Sequence, residues 1–118
     1  MIEKIKEEYG EFCDSWISKI EIQLNEIDLI VTCANKLKNY TYETIQLSFK
    51  EVEFYKIDNN YFIDNYVIKN ALIEESNNSI TIDLDPIDYF DYLKENEFST
   101  FKIKCGKISY KVIGKYNG

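Results

Sequence analysis

Cys13-Asp14-Ser15 places a thiol, a carboxylate and a hydroxyl in succession, and Asp83, Asp85, Asp88 and Asp91 place four carboxylates within nine residues. A thiolate nucleophile needs a neighbouring cation or base to lower its pKa, and the nearest candidate after Cys13 is Lys19. The sequence contains no histidine, which removes Ser-His-Asp and Cys-His catalysis, imidazole metal sites and the usual general base near neutral pH. No catalytic residue is assigned, and the chain reads as a non-enzyme. Cys13 reads as a packed thiol, with Asp14 and Ser15 fixing the loop. Several oxygens on one loop can hold Ca²⁺ or Mg²⁺, but here the turn glycine and the closing glutamate of an EF-hand are missing, and helix capping accounts for three of the four aspartates. No metal and no cofactor is expected. Gly-rich phosphate loops are absent too, with only four glycines in the chain.

The remaining candidate is a surface. Asp85, Asp88, Tyr89, Asp91 and Tyr92, with Phe90 turned inward, would form an acidic, aromatic face of the kind that grips a basic protein. The net charge of −7 favours a cationic partner. All 14 basic residues are lysine, so the bidentate arginines of nucleic-acid recognition are missing and nucleic acid is disfavoured.

Those residues need a scaffold, and 118 residues with 45% hydrophobic content suffice for one domain over 1–118 with a single core. Residues 2–9 predict a short amphipathic helix, with Ile2, Ile5 and Tyr9 on one side and Gly10 as its stop. Trp16, Ile20, Ile22 and Leu24 alternate with polar neighbours, as do Ile27, Leu29, Val31 and Cys33, so residues 17–34 predict a hairpin turning at Asn25-Glu26. Ile45, Leu47 and Phe49 line a third strand, and a bulge near Lys50-Glu51 brings Val52 and Phe54 onto the same core. Asp58-Asn59-Asn60 predicts a turn. Residues 61–75 admit strand or helix, with a short turn and a strand over 66–75 preferred. Ser76-Asn77-Asn78-Ser79 predicts a reversal before a strand carrying Ile80, Ile82 and Leu84. Asp85-Pro86 predicts a helix start, giving a helix near residues 86–96 that buries Ile87, Phe90 and Leu93. Two last strands, near 98–105 and 107–113, join at Gly106. The fold class is mainly β with some α: an antiparallel sandwich or partly open barrel of about seven strands.

The N-terminal charges and the lack of a long apolar run point to a cytoplasmic protein without a membrane segment. The odd number of cysteines, Cys13, Cys33 and Cys105, suits reduced thiols.

The run Phe12-Cys13-Asp14-Ser15-Trp16-Ile17-Ser18-Lys19-Ile20-Glu21-Ile22 resembles the opening of small bacterial immunity-like proteins of polymorphic toxin systems. Those begin with Phe-His-Asp-Ser, continue into a hairpin and carry a strand like Leu47-Ser48-Phe49-Lys50-Glu51-Val52-Glu53-Phe54. The junction Leu84-Asp85-Pro86 is a third match. Cys13 stands where that pattern has histidine, so no role of that histidine carries over; Asp14, Ser15 and Trp16 remain as the motif, with Asp14 and Ser15 ordering the approach to the first strand through side-chain bonds to the backbone. The resemblance implies occlusion of a toxin or other basic protein. A structural subunit acting through homo-oligomeric β-edge or apolar-face contacts, and a small-molecule-binding barrel, are the alternatives. The oligomeric state stays open.

Overall fold

Every second side chain of a strand shares one face, and that alternation builds most of this chain. The computed structural model describes residues 1–58 and 66–116. In chain order the elements are α1 (Ile2–Tyr9), β1 (Ser15–Gln23), β2 (Glu26–Asn35), a 3₁₀ turn (Lys36–Lys38), β3 (Thr41–Ile57), β4 (Tyr66–Ile68), β5 (Leu72–Ser76), β6 (Ser79–Asp83), β7 (Ile87–Asp88), β8 (Leu93–Lys94) and β9 (Phe101–Lys115). Seven strands form one antiparallel sheet in the order β4-β1-β2-β3-β9-β6-β5, curled into a half-barrel. The partly open barrel is thus the form the chain takes. β7 and β8 make a separate two-stranded ribbon.

One linkage dictates the curl. β4 and β5 lie at opposite margins of the sheet, yet only Lys69, Asn70 and Ala71 separate them in sequence. Four Cα steps span at most about 15 Å, so the two margins must approach each other. The loop after α1 lies along this link: Ala71 N donates to Glu11 O at 2.6 Å, and Cys13 Sγ to Asn70 Oδ1 at 3.0 Å.

The concave face holds the core. Ile27, Leu29, Val31 and Cys33 of β2 are buried beside Ile45, Leu47 and Phe49 of β3, and Ile103, Cys105 and Ile108 continue the face on β9. Helix α1 places Ile2, Ile5 and Tyr9 onto it and stops at Gly10, whose φ of 60° suits a residue without Cβ. The interior is filled by side chains, with Phe49, Phe101 and Ile5 among the largest that are fully buried.

Four local expectations change. The first hairpin turns at Leu24-Asn25, one residue earlier than the spacing implied, because Asn25 takes the left-handed conformation (φ 62°) that asparagine tolerates. A register shift between Ile17 and Lys19 moves Trp16 out of phase with Ile20: Trp16 pairs with Thr32, while buried Ile17 pairs with Val31. The expected bulge falls two residues later: pairing with β9 stays in register across Glu51 (φ 56°) and shifts between Val52 and Phe54, so Val52 packs on the core while Phe54 is half exposed. Gly106 is no turn, since β9 runs straight through it. Lys50 pairs with Lys107 and Val52 with Cys105, so Gly106 lies across from Glu51, whose φ is positive, and a Cβ there would sit 3.1 Å from Glu51 Cβ. A strand glycine marks a close approach here.

Asn77 and Asn78, at φ 53° and 64°, make the predicted reversal between β5 and β6 with the backbone of a tight hairpin turn. The strand preferred over 66–75 is two strands, β4 and β5. Asn59 and Asn60 of the expected turn, and residues 61–65, lie outside the described residues. No helix among the described residues is long and apolar enough to cross a membrane.

Candidate functional site

The segment after β6 is where the sequence departs most from its local signal. No helix forms over 86–96; the chain instead makes the β7–β8 ribbon, with Ile87 opposite Lys94 and Asp88 opposite Leu93. The reason lies in what the aspartates bind. A cap would hold amides in the first helical turn, whereas Asp83 and Asp85 reach residues far along the chain. Buried Asp83 accepts Asp85 N (2.9 Å) and Ser99 Oγ (2.6 Å) on Oδ1 and Asn96 N (2.8 Å) on Oδ2. Asp85 Oδ2 accepts Thr100 N and Thr100 Oγ1, each at 3.2 Å, and its carbonyl accepts Asn96 Nδ2 at 2.9 Å. Both carboxylates staple the base of the loop. Asp85 therefore belongs to the scaffold and not to the face where the sequence placed it.

At the tip Asp88 Oδ1 accepts Phe90 N at 2.9 Å, a side-chain turn that competes with helix. Asp91 N donates to Tyr89 O at 2.9 Å across Phe90, whose φ is +79°. This is a γ-turn of the rare, strained kind. Phe90 was expected to pack inward; it is instead fully exposed, at 103% of its reference area. Tyr89 and Tyr92 stack on each other with centroids 5.1 Å apart, and Phe98 is exposed nearby in sequence. Asp88, Tyr89, Asp91 and Tyr92 thus share one ribbon with Phe90 at its apex. Nothing in the sequence pattern marked Phe98. At the flank, Glu95 meets Lys102 (2.8 Å) and Lys104 (3.4 Å), and the Lys102 hydrogen bond and the two positive charges outweigh burial and hold its carboxyl below the usual range.

The Asp14-Ser15-Trp16 motif lies at the start of β1, in the large sheet and apart from the β7–β8 ribbon in topology. Asp14 has a positive φ of 58°, and its carbonyl accepts the Tyr42 hydroxyl at 3.2 Å. Ser15 is buried, and its hydroxyl has no partner among the described residues. Backbone contacts, including Ser15 N to Phe12 O, order this approach in place of the expected side-chain bonds. Trp16 rests among Tyr42 and Tyr116, at centroid distances of 5.6 and 5.1 Å. Cys13 is exposed while Cys33 and Cys105 are buried. Burial, with Glu11 and Asp14 beside it, pushes the Cys13 thiol up, and burial pushes Cys105 to about 11. A maleimide should therefore label one thiol in the native protein, slowly at neutral pH, and all three cysteines after unfolding, as mass spectrometry would count them. Two rapidly labelled native thiols would contradict this burial pattern.

A second polar cluster escaped the sequence reading. Glu43 lies on the apolar face of β3, two residues before Ile45, and is buried. Its Oε2 accepts Tyr9 Oη at 2.5 Å and Asn35 Nδ2 at 3.1 Å, and its Oε1 meets Lys38 Nζ at 3.0 Å. Burial alone would push this carboxyl up, but the three hydrogen bonds and the Lys38 charge together hold it below the usual range. The same burial and the Glu43 hydrogen bond push the Tyr9 phenol upward. With both oxygens engaged and the side chain buried, this carboxylate ties α1, β2 and β3 together. The signal was phase: extending the 45, 47, 49 alternation back by two places Glu43 inside.

Among the described residues no group of three or more His, Cys, Asp or Glu side chains is placed to hold a metal ion. Comparison with protein-family models, curated protein sequences and solved structures gave no match.

Proposed function

We propose that this chain is a non-enzymatic protein-binding domain that neutralises a basic protein by occlusion, in the manner of an immunity-like protein. The observation that supports it is Phe90: a full aromatic side chain held in solvent, at a strained backbone, on a ribbon whose base is stapled by two aspartates. Strain and exposed aromatic area both cost stability, and a binding surface gives that cost a return. Asp88 and Asp91 steer a cationic partner into encounter, and the rings slow its departure. A structural subunit remains the rival reading, and sedimentation at micromolar concentration separates the two, since it requires a stable homo-oligomer.

The direct test compares capture from the native host by the immobilised wild type and by Phe90→Ala. An exposed side chain supports no core, so the variant should melt within about 1 °C of the wild type. Its affinity for the captured protein should fall about 30-fold or more, the loss of one aromatic hot spot. Equal capture by both proteins would refute the reading.

A further inference from the structure

The tip of the β7–β8 ribbon combines two features that together restrict what can cover it. Its accessible charge is acidic: Asp88, Asp91 and Glu97 are exposed against one exposed lysine, Lys94, while Asp85 is turned to the base and Glu95 is paired with two lysines. Its apolar area is aromatic and offers ring faces, with Phe90 at the apex and the stacked Tyr89 and Tyr92 below it. A second copy would bring like charges together, an anionic membrane surface would repel the same carboxylates, and nucleic acid would do so too. The complementary surface is cationic and accepts flat rings. Proteins that hold single-stranded nucleic acid build such a surface: a lysine- and arginine-lined groove for phosphates, with side chains on which bases stack.

Resting on the protein-binding reading above, we infer that the ribbon tip imitates single-stranded nucleic acid, with Asp88 and Asp91 in the place of phosphates and Phe90, Tyr89 and Tyr92 in the place of bases, and that its partner is a protein whose nucleic-acid groove it fills. The partner's groove is blocked without any bond being made or broken. Two charges interspersed with three rings along Asp88-Tyr89-Phe90-Asp91-Tyr92 supply both kinds of contact from a single turn.

The experiment is competitive release. Immobilised wild-type chain is loaded with host lysate beside a Phe90→Ala control, and protein held only by the wild type is challenged with a short mixed-sequence RNA or DNA oligonucleotide, or with inorganic polyphosphate matched in total charge. The inference expects either oligonucleotide to release the partner at a concentration at least about tenfold below that of polyphosphate, the worth of stacking about one base. Release by both polyanions at equal concentration shows a merely cationic partner surface and overturns it. Retention through every challenge also overturns it, yet leaves the protein-binding proposal standing. If Phe90→Ala holds the same proteins as the wild type, both proposals fall.

Discussion

Asp83→Ala should lower the unfolding free energy by about 4 kcal/mol, because three donors that now share one buried carboxylate lose their acceptor together. Two are backbone amides, Asp85 N and Asn96 N, and the third is the Ser99 hydroxyl. A buried donor left unmade costs about 1–3 kcal/mol, and water reaching the loosened loop returns part of the sum. In urea the midpoint should fall by about 2 M at unchanged slope. Asp83→Asn, which keeps one acceptor oxygen but turns an amide donor toward existing donors, should lie between the two. The same change should also cost binding, since the stapled base holds the Phe90 turn. A midpoint for Asp83→Ala within about 0.5 M of the wild type would show that the staple contributes little.

Glu43→Ala should cost about 3 kcal/mol, as the Tyr9 hydroxyl and the Asn35 amide lose their buried acceptor. The effect has a pH signature. The folded carboxyl of Glu43 is held below its ordinary value, so its contribution is complete above the unfolded pKa of about 4.3 and is lost as pH falls through the lowered folded value. Glu95 is lowered as well and titrates in the same acid window. Stability of the wild type should therefore drop steeply below about pH 4.3, and Glu43→Gln should remove about one proton's share of that slope while Glu95 keeps the other. Urea midpoints from pH 6 down to pH 3 measure this; parallel curves for the two proteins would rule out Glu43 as an acid-sensitive tie.

The period-two runs in β2, in β3 as far as Phe49 and in β6 were plain in the sequence because each alternates against one core. So were α1 and the Asn77-Asn78 turn, where the local preference and the tertiary need agree. What stayed hidden has a common cause: a local signal with two physical outcomes. Asp85-Pro86 opens a helix or a stapled loop with the same residues, and only Asn96 and Thr100, brought back by β9, decide between them. Gly106 breaks a strand or makes room in one, and the close approach of Glu51 on a partner strand 55 residues away decides. Trp16 follows Ile20 in phase until a register shift intervenes. At the candidate site, Asp88, Tyr89, Asp91 and Tyr92 were legible as a surface, whereas Phe90 was assigned to the wrong side because its inward direction depended on a helix that does not form.

The place of β9 in the sheet has a consequence for how the chain reaches its shape. It inserts between β3 and β6, although it is the last of the seven strands to leave the ribosome. Until then the β1–β2–β3 meander and the β5–β6 hairpin are two fragments, and the 17 residues of β3 offer a naked ladder to any passing polypeptide. The two fragments can therefore be zipped together only once β9 has been made, so the pairings that close this sheet are long-range and form late.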